Sequence, residues 1–150
     1  MSQPIILASG SEIRATLLRN AGVQHQIIPG RIDEETIKLA LQDDGALPRD
    51  IADALAEGKA RKISLKHPEA LVIGCDQVLA HGKDILSKPT TPEQARTQLQ
   101  QLRNDRHQLL SAAVIYEGGE PKWLHVGVAR LMMRDFSDTY LNEYVDRNWE

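Results

Sequence analysis

The chain has 150 residues, 41% hydrophobic and 26% charged, with a net charge of −3. That is the length and composition of one globular domain with a real core. The charge leaves no basic footprint for a nucleic-acid polymer, and a lone cysteine, Cys75, excludes an internal disulfide framework.

The first apolar stretch, PIILA (residues 4–8), reads as a short strand. A loop SGS follows, then EIRATLLRNAG reads as a helix with Ile13, Leu17, Leu18 and Ala21 on one face and Gly22 placed to stop it. VQHQIIPG predicts a second strand running into a turn at Pro29-Gly30, and part of RIDEETIKLALQDDGALP is helical before Gly45 to Pro48 break it. RDIADALAEGKARKISLKHP predicts a helix that ends before Pro68. ALVIGCDQVLA (residues 70–80) reads as a buried strand, and HGKD as a turn into ILSKP. Thr91, Pro92 and Gln94 sign a capped helix with Ala95, Leu99 and Leu102 inward. LLSAAVIY and WLHVGVARLMM are strands joined by EGGEPK. Ser137 caps a last helix, where Leu141, Val145 and Trp149 share a face and Tyr140, Tyr144 and Trp149 serve packing. Interleaved helices and strands give an α/β class with a mixed sheet in a single domain, residues 1–150.

Four features could carry chemistry. A small-residue loop opening a helix presents free N–H groups and a positive dipole end, to which Ser9, Ser11 and Arg14 add donors for phosphate. The plainer reading is that Ser11 is a helix cap and Arg14 a solvated surface residue. Lys59 falls on the apolar side of its helix between Leu55 and Ile63, either snorkelling or meeting an anion at a cleft. Asp76 interrupts an apolar run, where an ionised carboxylate is costly unless it is paired, solvated or metal-bound. It either joins a buried ion pair with Lys88 or sits at a strand end in a cleft as a general base or metal ligand. Glu34 offers a second carboxylate from a loop, or ordinary surface charge; two carboxylates plus substrate phosphates suit Mg²⁺. The five histidines show no ligand spacing for zinc, and Cys75, alternating to the face opposite Asp76, reads as a small buried core residue.

In order and spacing, LASGSEIRATLLRNAG, RIDE, ALAEGKA, VIGCDQVL and ILSKP resemble the Maf nucleoside triphosphate pyrophosphatases, also called septum formation inhibitor proteins, over essentially the whole chain. The resemblance implies an elongated mixed sheet with a central cleft, related to the inosine triphosphate pyrophosphatases. It implies hydrolysis of a nucleoside triphosphate to the monophosphate and pyrophosphate with Mg²⁺ or Mn²⁺. On it, Asp76 is the catalytic carboxylate and a metal ligand with Glu34. Ser9, Ser11 and Arg14 are the phosphate loop, and Glu34, Lys59, Gln77 and Lys88 further substrate-binding positions. Ile13 stands where the family often has a first arginine, and Gln77 where the thymidine- and uridine-triphosphate branch has threonine. Both departures resemble the branch acting on 7-methyl-GTP. The SGSxxR loop and GCDQ argue against a purine-deaminated nucleotide pyrophosphatase. A nucleotide-binding regulatory protein without turnover, linked to septum formation, is the alternative.

Family members continue past the helix containing Trp149 into a glycine-rich segment, a glutamine-bearing specificity element and a closing strand and helix. Without them the expectation is an exposed part of the core and one missing cleft wall. No signal peptide or bilayer-length apolar run is visible, so the expected location is the cytoplasm, with no membrane partner. The family resemblance also admits a homodimer.

Overall fold

A computed structural model describes residues 3–149. In chain order the elements are β1 (Ile5–Leu7), α1 (Glu12–Asn20), β2 (Gln26–Ile27), α2 (Glu34–Asp43), α3 (Pro48–Lys66), β3 (Leu71–His81), β4 (Asp84–Leu86), α4 (Pro92–Leu102), β5 (Arg106–Glu117), β6 (Glu120–Met132) and α5 (Asp138–Asn148). They build a mixed sheet in the order β2-β1-β3-β5-β6, with β4 folded back on the end of β3. β1 lies parallel to both β2 and β3, because helices carry the chain across; tight turns make β3–β4 and β5–β6 antiparallel. The expected α/β class with a mixed sheet is what forms.

The core lies between α3 and the even-numbered face of β3 and β5. Ile51, Leu55, Ala56, Ala60 and Ile63 pack on Val72, Val78, Leu110, Val114 and Tyr116. Each buried Ile, Leu or Val contributes about 1.5–3 kcal/mol. Small residues set the approach of helix to sheet. A Cβ at Gly74 would come 2.4 Å from Ala56 O and 2.7 Å from Ala60 Cβ.

Three sequence expectations are corrected here. The apolar stripe of α1 does not face inward: Ile13 is 75% and Leu17 63% exposed, and the buried residue is Ala15. Only a small side chain is buried on this helix, and its larger apolar residues stay outside. Gly22 does end it, with φ +77°. On α4, Thr91 accepts the Gln94 N–H, but Gln94 Oε1 closes the box on the N–H and hydroxyl of Thr90, one residue early. On α5, Leu141 and Val145 are buried, whereas Tyr140 and Tyr144 stack on each other in the open at 6.3 Å between ring centres.

Candidate active site

The loop after β1 is pinned by Ala8, whose N–H donates to Ile73 O at 2.8 Å. Ser11 is the N-cap of α1, accepting the Arg14 N–H at 3.3 Å, so the capping reading of Ser11 holds. Arg14 is not a solvated surface residue. Its Nη1 donates to Ser9 Oγ at 3.3 Å and to Cys75 O at 3.4 Å, and buried Ser9 also accepts the Ser11 N–H. The acceptor on Cys75 is free because β1 covers β3 only at Leu71 to Ile73 and β4 only at Leu79 to His81. Arg14 plugs the open edge between them.

On the α3 side of that edge, Lys59 Nζ lies 2.6 Å from Glu34 Oε1 and 3.0 Å from Asp76 Oδ1. The Lys59 and Asp76 side chains are only 14% and 11% exposed. Glu34 is the first residue of α2 rather than a loop residue, placed after the N-cap Asp33. Its segment is held against α3 at Gly30, where a Cβ would lie 2.5 Å from Lys59 O. Only glycine fits there.

Burial raises the Asp76 carboxyl above the ordinary carboxylate range, with Glu34 adding to the rise and Lys59 and Arg14 opposing it. Burial works to lower the Lys59 ammonium, but the hydrogen bonds and charges of Glu34 and Asp76 outweigh it and raise the group. The two shifts differ in what they favour, charge on Lys59 and neutrality on Asp76. The geometry explains this: one cation serves two carboxylates, and the shorter contact goes to Glu34. A raised carboxyl is what a general base near neutral pH requires.

A cleft of about 280 Å³ opens beside the cluster, lined by Ser9, Gly10, Gly30, Arg31, Glu34 and Lys59 among others. A larger hollow of about 530 Å³ lies between Arg106 and Arg130, with no carboxylate in its lining. The chemistry is concentrated at the smaller one. No group of three or more His, Cys, Asp and Glu side chains forms a metal cage among the described residues. Glu34 and Asp76 nevertheless present two oxygens to one point, which the Lys59 ammonium now neutralises. Two carboxylate oxygens are a set Mg²⁺ accepts when phosphates and water complete its shell.

The structure thus brings Ser9, Ser11 and Arg14 together, and Glu34, Lys59 and Asp76 together, with Ser9, Glu34 and Lys59 lining one cleft. Asp76 is not at a strand end; it is the sixth residue of the eleven in β3, buried against Lys59 on the stretch of strand that neither β1 nor β4 covers. Its ion-pair partner is Lys59 rather than Lys88. Lys88 is exposed in the loop after β4 and makes no ion pair among the described residues. Strand alternation sends Cys75 and Gln77 to the face opposite Asp76, where Cys75 is half-buried and not core. Gln77 Nε2 donates there to Ser111 Oγ at 2.9 Å. Sequence reading missed Ser111, whose signal is a cross-strand register with Gln77 invisible before β3 and β5 pair.

The family model for Maf-like proteins matches residues 4–150. The chain belongs to the Maf family. A nucleoside triphosphate pyrophosphatase of Roseobacter denitrificans is 64% identical to this Maf chain over 150 residues, which span 100% of the chain and 75% of that protein. A 7-methyl-GTP pyrophosphatase of Brucella abortus is 42% identical over 147 residues, 98% of the chain and 74% of that protein. The Maf fold is also similar to a HAM1 protein from Coxiella burnetii, at 14% identity and TM-score 0.53, covering 87% of this chain and 73% of that one.

Proposed function

We propose that this Maf chain hydrolyses nucleoside triphosphates to the monophosphate and pyrophosphate, with Asp76 as the base that orients and deprotonates water. The carrying observation is the pair of constellations that meet beside the open edge of β3: the Arg14 guanidinium anchored on Ser9 and Cys75 O, and the Glu34–Lys59–Asp76 cluster. The names of its relatives support the same reaction.

Arg14 engages protein through one Nη only, leaving guanidinium donors for phosphate oxygens. Lys59 offsets charge as the bond to the leaving pyrophosphate breaks, and Ser9 and Ser11 order the loop that carries Arg14. Glu34 and Asp76 would hold a Mg²⁺ or Mn²⁺, which supplies Lewis-acid stabilisation of phosphoryl charge when bound. Lys88, exposed and without an ion-pair partner among the described residues, reaches the substrate from the loop after β4. We place Gln77 at the base, and read it with Ile13 as favouring 7-methyl-GTP. No described helix is long and apolar enough to cross a membrane, in keeping with a cytoplasmic enzyme acting on small nucleotides.

The test is a product assay on the purified chain with Mg²⁺ or Mn²⁺ and a panel of 7-methyl-GTP, GTP, UTP, TTP, CTP and ITP. Pyrophosphate release supports the reaction; orthophosphate overturns it. Binding without either product would make the chain a nucleotide-binding protein.

A further inference from the structure

The cleft beside the catalytic cluster is lined by a second cation, Arg31, together with Ser9, Gly10, Glu34 and Lys59. The two acids nearest to it in sequence are committed elsewhere. Asp33 accepts the Thr36 N–H at 3.2 Å and the Thr36 hydroxyl at 2.8 Å, and Glu34 meets Lys59 at 2.6 Å. The exposed Arg31 guanidinium makes no ion pair or hydrogen bond among the described residues; only its backbone carbonyl is engaged.

That backbone is held from several sides. Ile28 N–H donates to Leu7 O at 3.1 Å, which keeps the segment after β2 alongside the end of β1. A Cβ at Gly10 would lie 4.0 Å from Pro29 Cγ, so the two segments touch where both line the cleft. Gly30 lies against Lys59 O with no room for a Cβ, and a Cβ at Gly58 would meet Ile32 Cδ1 at 3.2 Å. Between these contacts Lys62 Nζ donates to Arg31 O. Residues 30 to 32 are thus fixed on α3, and a ligand gripped by Arg31 has little backbone left to order.

A triphosphate brings several negative charges into this cleft. Lys59 is already compensated by Glu34 and Asp76. Arg14, from the β1–α1 loop, is tied to Ser9 and Cys75 O through one Nη. We propose that Arg31 is a further substrate-binding residue, gripping the phosphate chain from the β2–α2 segment while Arg14 holds it from the β1–α1 loop. A guanidinium suits this task, since its planar fork takes two phosphate oxygens at once. The inference rests on the pyrophosphatase reading for the identity of the ligand as a nucleoside triphosphate.

The experiment is equilibrium titration of the full chain, with Mg²⁺, by GMP and by α,β-methylene-GTP. In the analogue the bond that would be cleaved is replaced, so turnover does not disturb the titration. The unsubstituted chain is expected to bind the triphosphate analogue more tightly than GMP. Arg31→Ala lowers the ratio of the two affinities about tenfold, the scale of one charge-assisted hydrogen bond. Arg31→Lys keeps the charge without the fork and recovers part of the loss. Arg19→Ala removes the same charge from the last turn of α1 and leaves the ratio unchanged. An unchanged ratio in Arg31→Ala, an equal fall in Arg19→Ala, or no preference for the analogue in the unsubstituted chain overturns the proposal. A parallel assay for pyrophosphate, on GTP and 7-methyl-GTP, separates the two readings. An Arg31-dependent ratio without pyrophosphate release sinks the catalytic reading and keeps this one; pyrophosphate release with an unchanged ratio does the reverse.

Discussion

Lys59 and Asp76 lie 17 positions apart in the chain, on a helix and a strand, and meet at 3.0 Å with Glu34 completing the contact. An aspartate inside an apolar strand is therefore compensated by charge from the helix packed above it. That compensation leaves one carboxylate more than there are cations in the cluster, so the site keeps an appetite for positive charge.

Replacing Asp76 by Asn removes the base while keeping the shape of the side chain. The rate of pyrophosphate release falls about 10²–10⁴-fold, the usual contribution of a positioned proton acceptor. Full activity in Asp76→Asn would remove Asp76 from the mechanism.

Lys59→Met leaves Glu34 and Asp76 facing each other without the ammonium between them. The chain loses about 1–3 kcal/mol, less than for a fully sealed pair because Glu34 is partly in water. At this chain length a melting temperature lower by roughly 2–4 °C per kcal/mol follows. If the two carboxylates hold Mg²⁺ as proposed, added Mg²⁺ raises the melting temperature of Lys59→Met more than that of the unsubstituted chain.

The pH dependence of stability has two signed features. Lys59 is raised in the folded state, so its contribution is complete below the ordinary lysine range and is lost as pH rises through the higher folded value. Asp53, on α3, is pushed up to about 6 by burial and by sharing a proton with Glu57, which is correspondingly lowered. A carboxyl raised on folding favours the folded state at low pH, and that advantage falls away between about 4 and 6. Asp53→Asn flattens that limb in denaturation measured across pH 3.5–7; an unchanged slope would show that Asp53 ionises ordinarily.

Close approach predicts a graded set of glycine effects. Gly74→Ala places a methyl 2.4 Å from Ala56 O and costs about 1–3 kcal/mol through displacement of α3. Gly30→Ala, 2.5 Å from Lys59 O, also moves the segment that carries Glu34, so activity falls along with stability. Gly127→Ala finds open room and leaves the melting temperature unchanged. Thermal melting of the three variants checks the order.

Most secondary structure was legible because its signals are local. Hydrophobic periodicity, Pro92 with its Thr91 cap, and Gly22 and Gly118-Gly119 at turns each act through a few neighbouring residues. The stripe on α1 misled because periodicity names an apolar face without saying whether another element is there to cover it. The residues of the candidate site were also legible, as polar side chains where an apolar pattern or a small loop made them conspicuous.

The sequence by itself determined the family, the order of the elements and the unusual polarity of Asp76 and Lys59, since each is written in residue type and spacing. Only the tertiary structure decided that Lys59 rather than Lys88 meets Asp76, that Arg14 closes the gap in β3, and that Gln77 stands on the far face beside Ser111. Those are matters of register and of which edge a strand leaves uncovered. Both are set by pairings between segments distant in the chain, and no local pattern carries them.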